Sequence, residues 1–106
     1  MKIGVAAMGE SLDVQVSGQF GRCPYFIIVD TETLDFEAFP NPAGQMSGGA
    51  GPAAVQELVQ HGAKGAIAGR VGPKAEQALM AAGIQFSVAT GTVREAVLGF
   101  SQKESS

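Results

Sequence analysis

The chain has 106 residues, 45% of them hydrophobic and 16% charged, which is typical of one globular domain rather than a disordered segment. Its net charge of −3 offers no electrostatic attraction to nucleic acid or to an anionic membrane, so neither is expected as a partner. A single cysteine cannot form an internal disulfide, which suits a reducing cytoplasm. We expect one domain over residues 1–100 and a flexible polar tail over residues 101–106.

The first part of the chain predicts three strands. Residues 2–8 form a nearly continuous apolar run, typical of a strand covered on both faces and too short to span a membrane. Residues 25–30 predict a second strand, and the alternating residues 34–39 predict a more exposed third strand in a hairpin with it. Residues 12–16 alternate only weakly, which fits a strand or an extended loop.

The second part of the chain switches to helical spacing. Pro52, after a glycine-rich run, is suited to the first position of a helix, and Gly62 is a natural stop at its end. A buried strand is expected at residues 66–68. The same unit then recurs, because Gly72 and Pro73 open a second helix and residues 84–89 form a last strand. Two copies are too few for a solenoid.

The order of these elements predicts an α/β fold in three layers, with a mixed five-stranded sheet and helices on both faces. Thr92 and Glu95 fit a capping box that begins a final helix through Phe100. The crossover strands should run parallel to the first strand, and the second strand against it. Most of the 15 glycines would then gather where the parallel strands end, the edge at which such sheets bind ligands. The glycines expected there are Gly9, Gly18, Gly21, Gly44, Gly48, Gly49, Gly51, Gly69, Gly72 and Gly91.

The glycine-rich run before the first helix is a candidate anion site. Residues 48–51 leave the backbone nearly bare, and the free N–H groups and dipole of a helix start attract anions. The alternative is an ordinary helix lead-in, because one glycine-rich loop is a weak motif. In the anion-site interpretation, Gly49 or Gly51 would take a positive φ.

Polar side chains beside this loop are further candidates. Arg22 and Arg70 are the expected cations, and either could pair with an anionic cluster or a carboxylate. The alternative for both is a solvated position or a structural ion pair. Asn41 is expected to hold the loop through backbone hydrogen bonds.

Four side chains could contact a metal, and each has a structural alternative. Cys23 could ligate a soft metal as a thiolate, or it could be a small buried hydrophobe. One cysteine cannot hold an ordinary four-cysteine cluster, so a cluster would be preassembled, weakly held or shared between subunits. His61 is expected to interact with the carboxyl end of its helix, far from the glycine edge. Met8 and Met46 could add thioether contacts, although Met8 is more typical of core filling.

Three motifs together resemble the dinitrogenase iron–molybdenum cofactor biosynthesis family. They are residues 17–26 (Ser-Gly-Gln-Phe-Gly-Arg-Cys-Pro-Tyr-Phe), the glycine loop with the preceding Asn41, and residues 69–73 (Gly-Arg-Val-Gly-Pro). The family includes small cluster carriers, accessory proteins and a domain of larger cofactor-assembly enzymes. Cys23 departs from the small apolar residue expected at its position.

The resemblance implies a ribonuclease-H-like fold and a nitrogen-fixation-related role. The chain would hold or deliver an iron- and/or molybdenum-containing sulfur cluster, bound transiently, with cluster donor and acceptor proteins as partners. The candidate cluster contacts are Phe20, Gly21, Arg22, Asn41, Gly48, Gly49, Ala50, Gly51, Gly69, Arg70 and Gly72, with Cys23 as the candidate metal ligand.

Catalysis is not expected. A metal-dependent nuclease or phosphotransferase needs clustered carboxylates, and residues 2–8 contain none. No serine or cysteine pairs with a histidine at the glycine edge. Two non-enzymatic interpretations stay open, a cluster carrier and a protein-interaction module of a metal-cofactor assembly pathway. Bound metal and colour after purification without oxygen would distinguish them.

Overall fold

The computed structural model describes residues 1–46 and 48–105. It contains one sheet with the strand order β3-β2-β1-β4-β5. The strands are β1 (Lys2–Ala7), β2 (Tyr25–Asp30), β3 (Phe36–Pro40), β4 (Gly65–Ala68) and β5 (Gln85–Val88). The helices are α1 (Ala50–Gln60), α2 (Pro73–Ala81) and α3 (Val93–Ser105), and a short 3₁₀ helix (Pro42–Gln45) precedes α1. In the described part of the chain, no helix has the length and apolar character that crossing a membrane requires.

The strand directions confirm the predicted mixed sheet. β2 is antiparallel to both β1 and β3, whereas β1, β4 and β5 are parallel. The end of β1 therefore lies beside the start of β2, where Ala7 pairs with Tyr25, and Tyr25 in turn pairs with Pro40 at the end of β3. The loops that follow β1, β3, β4 and β5 consequently meet at one edge, the carboxyl edge of the sheet.

Helices cover both faces of the sheet, as predicted, because alternate strand residues point to opposite sides. One core layer joins the sheet to α1 and α2 and includes Ala6, Phe26, Ala66, Leu58 and Leu79. The other layer joins the sheet to α3 and includes Val5, Ile27, Ile67, Val97 and Phe100. The carboxyl edge is thus carried on a scaffold that is packed from both sides.

The helices of the two helix–strand units end in the same way, which confirms the internal repeat. Gly62 and Gly83 follow the carboxyl ends of α1 and α2 with φ of 77° and 73°. This left-handed conformation lets the next amide donate back into the last turn, from Ala63 to the Leu58 oxygen and from Ile84 to the Leu79 oxygen.

Three element boundaries differ from the sequence prediction by two residues or more, and the other strand ends differ by at most one residue. α1 begins at Ala50 rather than Pro52, because Gly51 has no Cβ to clash with the proline ring and can adopt helical dihedrals before it. β3 begins at Phe36 rather than at residue 34, because Leu34 occupies the hairpin turn with a φ of 64°. α3 continues past Phe100 to Ser105, since residues 101–105 contain no glycine or proline and three of them are good helix formers. Ser106 lies outside the described residues.

Candidate functional site

A groove of about 560 Å³ lies at the carboxyl edge of the sheet. Three segments form it: the turn at residues 19–22, the first turn of α1, and the segment that leads from β4 into α2. The residues that line it are Gln19, Phe20, Gly21, Arg22, Ala50, Gly51, Arg70, Gly72, Pro73, Lys74 and Ala75. We call this feature the rim groove.

The three segments that form the rim groove pack closely at two glycines, Gly21 and Gly51. A Cβ on Gly21 would lie 2.8 Å from the Gly51 nitrogen, and a Cβ on Gly51 would lie 3.0 Å from the Cβ of Ala75. Contacts this short leave no room for a side chain at Gly21. The two glycines therefore bring the turn at residues 19–22, α1 and α2 close together.

Two helix amino termini converge on the rim groove. The first N–H groups of a helix have no partner within that helix, and the helix dipole places about half a positive charge there. Ala50 and Gly51 belong to the first turn of α1, and Pro73 to Ala75 belong to the first turn of α2. The start of α3 is different, because its Val93 and Arg94 amides donate to the carbonyl oxygens of Val14 and Leu12. Among the helices that the structure describes, α1 and α2 are thus the ones whose positive ends lie at the groove.

Three cationic side chains line the groove: Arg22, Arg70 and Lys74, all exposed. No acidic side chain is among the described residues that line it. The cations and the two helix ends have the same sign, so their fields add and favour an anionic ligand. The exposed ring of Pro73 adds an apolar surface to the lining, with small contributions from the buried Phe20 and Ala75.

Asn41 fixes the turn at residues 19–22 from the interior. Its side chain is buried, and its Nδ2 donates to the carbonyl oxygens of Gly21 and Cys23, each at 3.0 Å. Its Oδ1 accepts from the Ala43 amide at 3.0 Å, which caps the 3₁₀ helix. The structure therefore gives Asn41 the predicted loop-holding contacts and places it behind the groove rather than in its lining.

The Cys23 side chain is packed in the core and is 1% exposed. Its Sγ donates to the Phe20 carbonyl oxygen at 3.2 Å. Burial, partly offset by nearby hydrogen bonds, raises the pKa of the thiol to about 12. The thiol is therefore protonated at neutral pH, whereas a metal needs the thiolate. This geometry favours the packing interpretation of Cys23.

The groove is suited to hold an anion and not to ligate a bare metal ion. Within the described residues, no three histidine, cysteine, aspartate or glutamate side chains lie together as a potential metal site. The rim groove offers N–H donors, cationic groups and apolar walls. A cluster whose metals already carry their own ligands, with a net negative charge, would fit such a lining.

Comparison with known proteins identifies the family. The model of the dinitrogenase iron-molybdenum cofactor family matches residues 1–103. The chain belongs to this family. The family name and its relatives connect the chain to iron–molybdenum cofactor biosynthesis or cluster binding, and so to a metal-containing cofactor. A comparison with curated protein sequences gave no significant match.

Solved structures of related proteins agree with this assignment. The orange protein of Desulfovibrio gigas, solved in its apo form, is 42% identical over 97% of this chain and 88% of its own, with a TM-score of 0.91. A Thermotoga protein provisionally assigned as NifB is 38% identical over 95% of this chain and 87% of its own, with a TM-score of 0.80. A Methanocaldococcus jannaschii protein provisionally assigned as a dinitrogenase shares the fold at 17% identity, covering 98% of this chain and 90% of its own (TM-score 0.66).

Most of the predicted cluster contacts line the rim groove of this family member. Phe20 contributes little side-chain surface, because its ring is 2% exposed and packs edge-on against Phe26 at 5.3 Å between centroids. Gly48 and Gly49 precede α1 as exposed loop residues outside the lining. Gly69 also lies outside it, where a Cβ would come within 2.8 Å of the Gly18 Cα.

His61 and the two methionines have other surroundings. His61 follows α1, its Nδ1 donates to the Glu57 oxygen at 2.8 Å, and its ring stacks on Phe39 with 4.1 Å between centroids. The predicted position at the helix end is confirmed, and the stacking was not predicted. Met8 is 56% exposed, so the core-filling interpretation of this residue is wrong; Met46 is 40% exposed.

Lys74 is the groove cation that the sequence interpretation missed. It is the second residue of α2, and the repeat places Ala53 at the equivalent position of α1. The sequence did contain a signal for Lys74, because the same Gly-Pro pair occurs at the start of both helices, as Gly51-Pro52 in α1 and as Gly72-Pro73 at α2. An anion site at the start of α2 as well as α1 would have made Lys74 a candidate contact.

Proposed function

We propose that this protein binds and delivers an iron- and/or molybdenum-containing sulfur cluster as a transient anionic cargo held in the rim groove. The observation that carries the proposal is the convergence of two helix amino termini and three cations on one groove. The family assignment supports a metal–sulfur cargo in particular. Cluster donor and acceptor proteins are the partners that this function requires.

The contacts proposed for the cargo are electrostatic and involve hydrogen bonds. Backbone N–H groups of Ala50 and Gly51 would donate to its anionic atoms, and Arg70 and Lys74 would neutralise its charge. Neither Cys23 nor His61 lines the groove, so the cluster would arrive preassembled and keep its own ligands. Binding without ligand exchange also suits a carrier, because release then breaks no metal–protein bond.

The proposal includes no catalytic step. General acid–base or two-metal hydrolysis needs carboxylates or histidine within reach of a substrate, and the described lining of the groove has neither. The three-layer arrangement around a mixed sheet supports the ribonuclease-H-like class. A cytoplasmic setting is part of the proposal, since the single cysteine is an unpaired thiol.

Anaerobic purification from the native host, followed by metal and sulfide analysis, tests the proposal directly. We expect a coloured protein with bound metal and sulfide. A second measurement is titration of the apoprotein with tetrathiomolybdate, followed by absorbance. Colourless protein that binds no thiometallate would favour the non-catalytic interaction module instead.

Matched charge variants locate the binding site. The double variant Arg70→Ala, Lys74→Ala should weaken thiomolybdate binding by about tenfold or more, since two groove cations are lost. The double variant Lys2→Ala, Lys64→Ala is the matched control, because both lysines are exposed at the opposite edge of the sheet, where the Lys64 amide donates to the Lys2 oxygen. Equal losses in both variants would indicate nonspecific charge attraction and contradict the proposed groove.

A further inference from the structure

Arg22 makes a contact that a simple charge at the mouth of the groove would not need. Its Nη1 donates to the Met46 carbonyl oxygen at 2.6 Å, across 24 residues of sequence. Met46 follows the last residue of the 3₁₀ helix, and the loop from there leads to Gly49, the residue that caps α1. The guanidinium thus connects the turn at residues 19–22 to the segment that leads into α1.

This contact complements the one made by Asn41. Asn41 holds the start of the 3₁₀ helix from the interior, through Gly21 and Cys23 on one side and Ala43 on the other. Arg22 holds the end of the same short helix from the exterior. The 3₁₀ helix is therefore attached at both ends to the turn whose Gly21 packs against Gly51.

The start of α1 comes shortly after that attachment, because Gly49, the residue that caps the helix, follows Met46 by three positions. Gly49 adopts a φ of 72°, and its carbonyl oxygen accepts the Ala53 amide at 3.1 Å, which closes the first turn. The direction of the free Ala50 and Gly51 amides is set by this turn. A displacement of Gly49 would therefore change the direction of the amides at the start of α1.

We propose that Arg22 is a positioning residue, which holds the segment before α1 so that the helix start opens into the rim groove. Its effect on ligand binding rests on the proposed function. Its effect on the start of α1 does not, because the hydrogen bond to Met46 exists without a ligand. A lysine keeps the charge but not the planar fork of donors that reaches a fixed carbonyl.

The test compares Arg22→Lys and Arg22→Ala with Arg70→Ala, which removes a groove cation, and with Lys64→Ala, whose residue lies outside the groove lining. Two properties are measured for each folded variant: tetrathiomolybdate binding by absorbance, and hydrogen exchange of the Ala53 amide in the apoprotein by NMR. We expect both Arg22 variants to bind about tenfold more weakly and to exchange Ala53 about tenfold faster than the wild type. Lys64→Ala should keep both properties, and Arg70→Ala should weaken binding alone.

Several outcomes would overturn the positioning role. Wild-type binding by Arg22→Lys would show that charge alone matters. Weakened binding with unchanged Ala53 exchange would show a direct guanidinium contact with the ligand. If no variant, including the wild type, binds thiomolybdate, the proposed function fails; Ala53 exchange then decides the positioning role, with unchanged exchange overturning it and faster exchange supporting it.

Discussion

The main chain of Gly21 lies against that of Gly51 so closely that a Cβ on Gly21 would approach the Gly51 nitrogen to 2.8 Å and its Cα to 2.9 Å. The two residues belong to different loops and meet at the start of α1. Their contact brings the cation Arg22 next to a helix amino terminus. The close approach is thus the basis of the rim groove.

Gly21→Ala should destabilise the protein by about 1–3 kcal/mol, because the three nearest atoms that the new methyl would meet, in Gly51 and Ala50, all belong to the backbone and must shift. Urea unfolding followed by circular dichroism measures the change. Gly18→Ala is the control, since a Cβ there meets nothing within 4 Å, and we expect it to change the free energy of unfolding by less than about 0.5 kcal/mol. Similar losses in the two variants would contradict the packing role of Gly21.

The Cys23 thiol should be almost unreactive toward a thiol-specific aromatic disulfide at pH 8 in the folded protein and should react at an ordinary rate in urea. Burial and the raised pKa of about 12 both suppress the thiolate. A native rate close to that of a small free thiol would show that Cys23 is accessible, and the ligand interpretation would regain support.

The same pKa predicts a loss of stability at high pH. The folded pKa lies above the 9.0 of an unperturbed thiol, so the unfolded chain releases its proton first as the pH rises. The contribution of the buried thiol to the free energy of unfolding is complete below pH 9, and it decreases as the pH rises toward 12. Cys23→Ala should remove this part of the pH dependence, and an unchanged alkaline profile would contradict the assignment.

Local signals made much of the fold predictable from the sequence. Apolar runs marked the strands. Gly62 and Gly83 marked the helix ends, because the left-handed backbone conformation that follows a helix strongly favours glycine. The contacts that shape the site are non-local. The hydrogen bond from Arg22 to Met46 and the approach of Gly21 to Gly51 depend on how distant loops meet, which composition and periodicity do not encode.

Thr92→Ala should destabilise the start of α3 by about 1 kcal/mol. The Thr92 hydroxyl accepts the Glu95 amide at 3.2 Å, while the Glu95 carboxylate accepts the Thr92 amide and hydroxyl at 3.0 Å, which confirms the predicted capping box. Unfolding by urea at neutral pH measures the loss. A change below about 0.3 kcal/mol would show that the box contributes little beyond the core contacts of α3.

The capping box also predicts an acid dependence. Hydrogen bonds from the Thr92 amide and hydroxyl lower the pKa of Glu95 below its ordinary 4.5. The stabilisation is therefore present above pH 4.5 and is lost as the pH falls through the folded pKa. Glu95→Gln should flatten this part of the acid profile while keeping an oxygen acceptor. An unchanged profile in that variant would assign the acid dependence to other carboxylates.

The loop before α1 offers a direct comparison of backbone conformation with side-chain charge. Gly49 has a φ of 72°, and a Cβ there would meet the Met46 Cε at an ordinary contact distance of 4.0 Å, so Gly49→Val should cost about 1–3 kcal/mol mainly through its dihedral. Because this residue sets the first turn of α1, the variant should also misdirect the Ala50 and Gly51 amides. Arg70→Ala removes one exposed and partly screened charge.

We therefore expect Gly49→Val to weaken tetrathiomolybdate binding more than Arg70→Ala does, although neither residue is a metal ligand. Anaerobic titration of the folded variants measures both effects, and Gly48→Ala, where a Cβ meets nothing within 4 Å and φ is not positive, controls for substitution in the loop. If Gly49→Val binds as the wild type does while Arg70→Ala loses affinity, the ligand is held by side-chain charge. The glycine loop would then be an ordinary entry to α1.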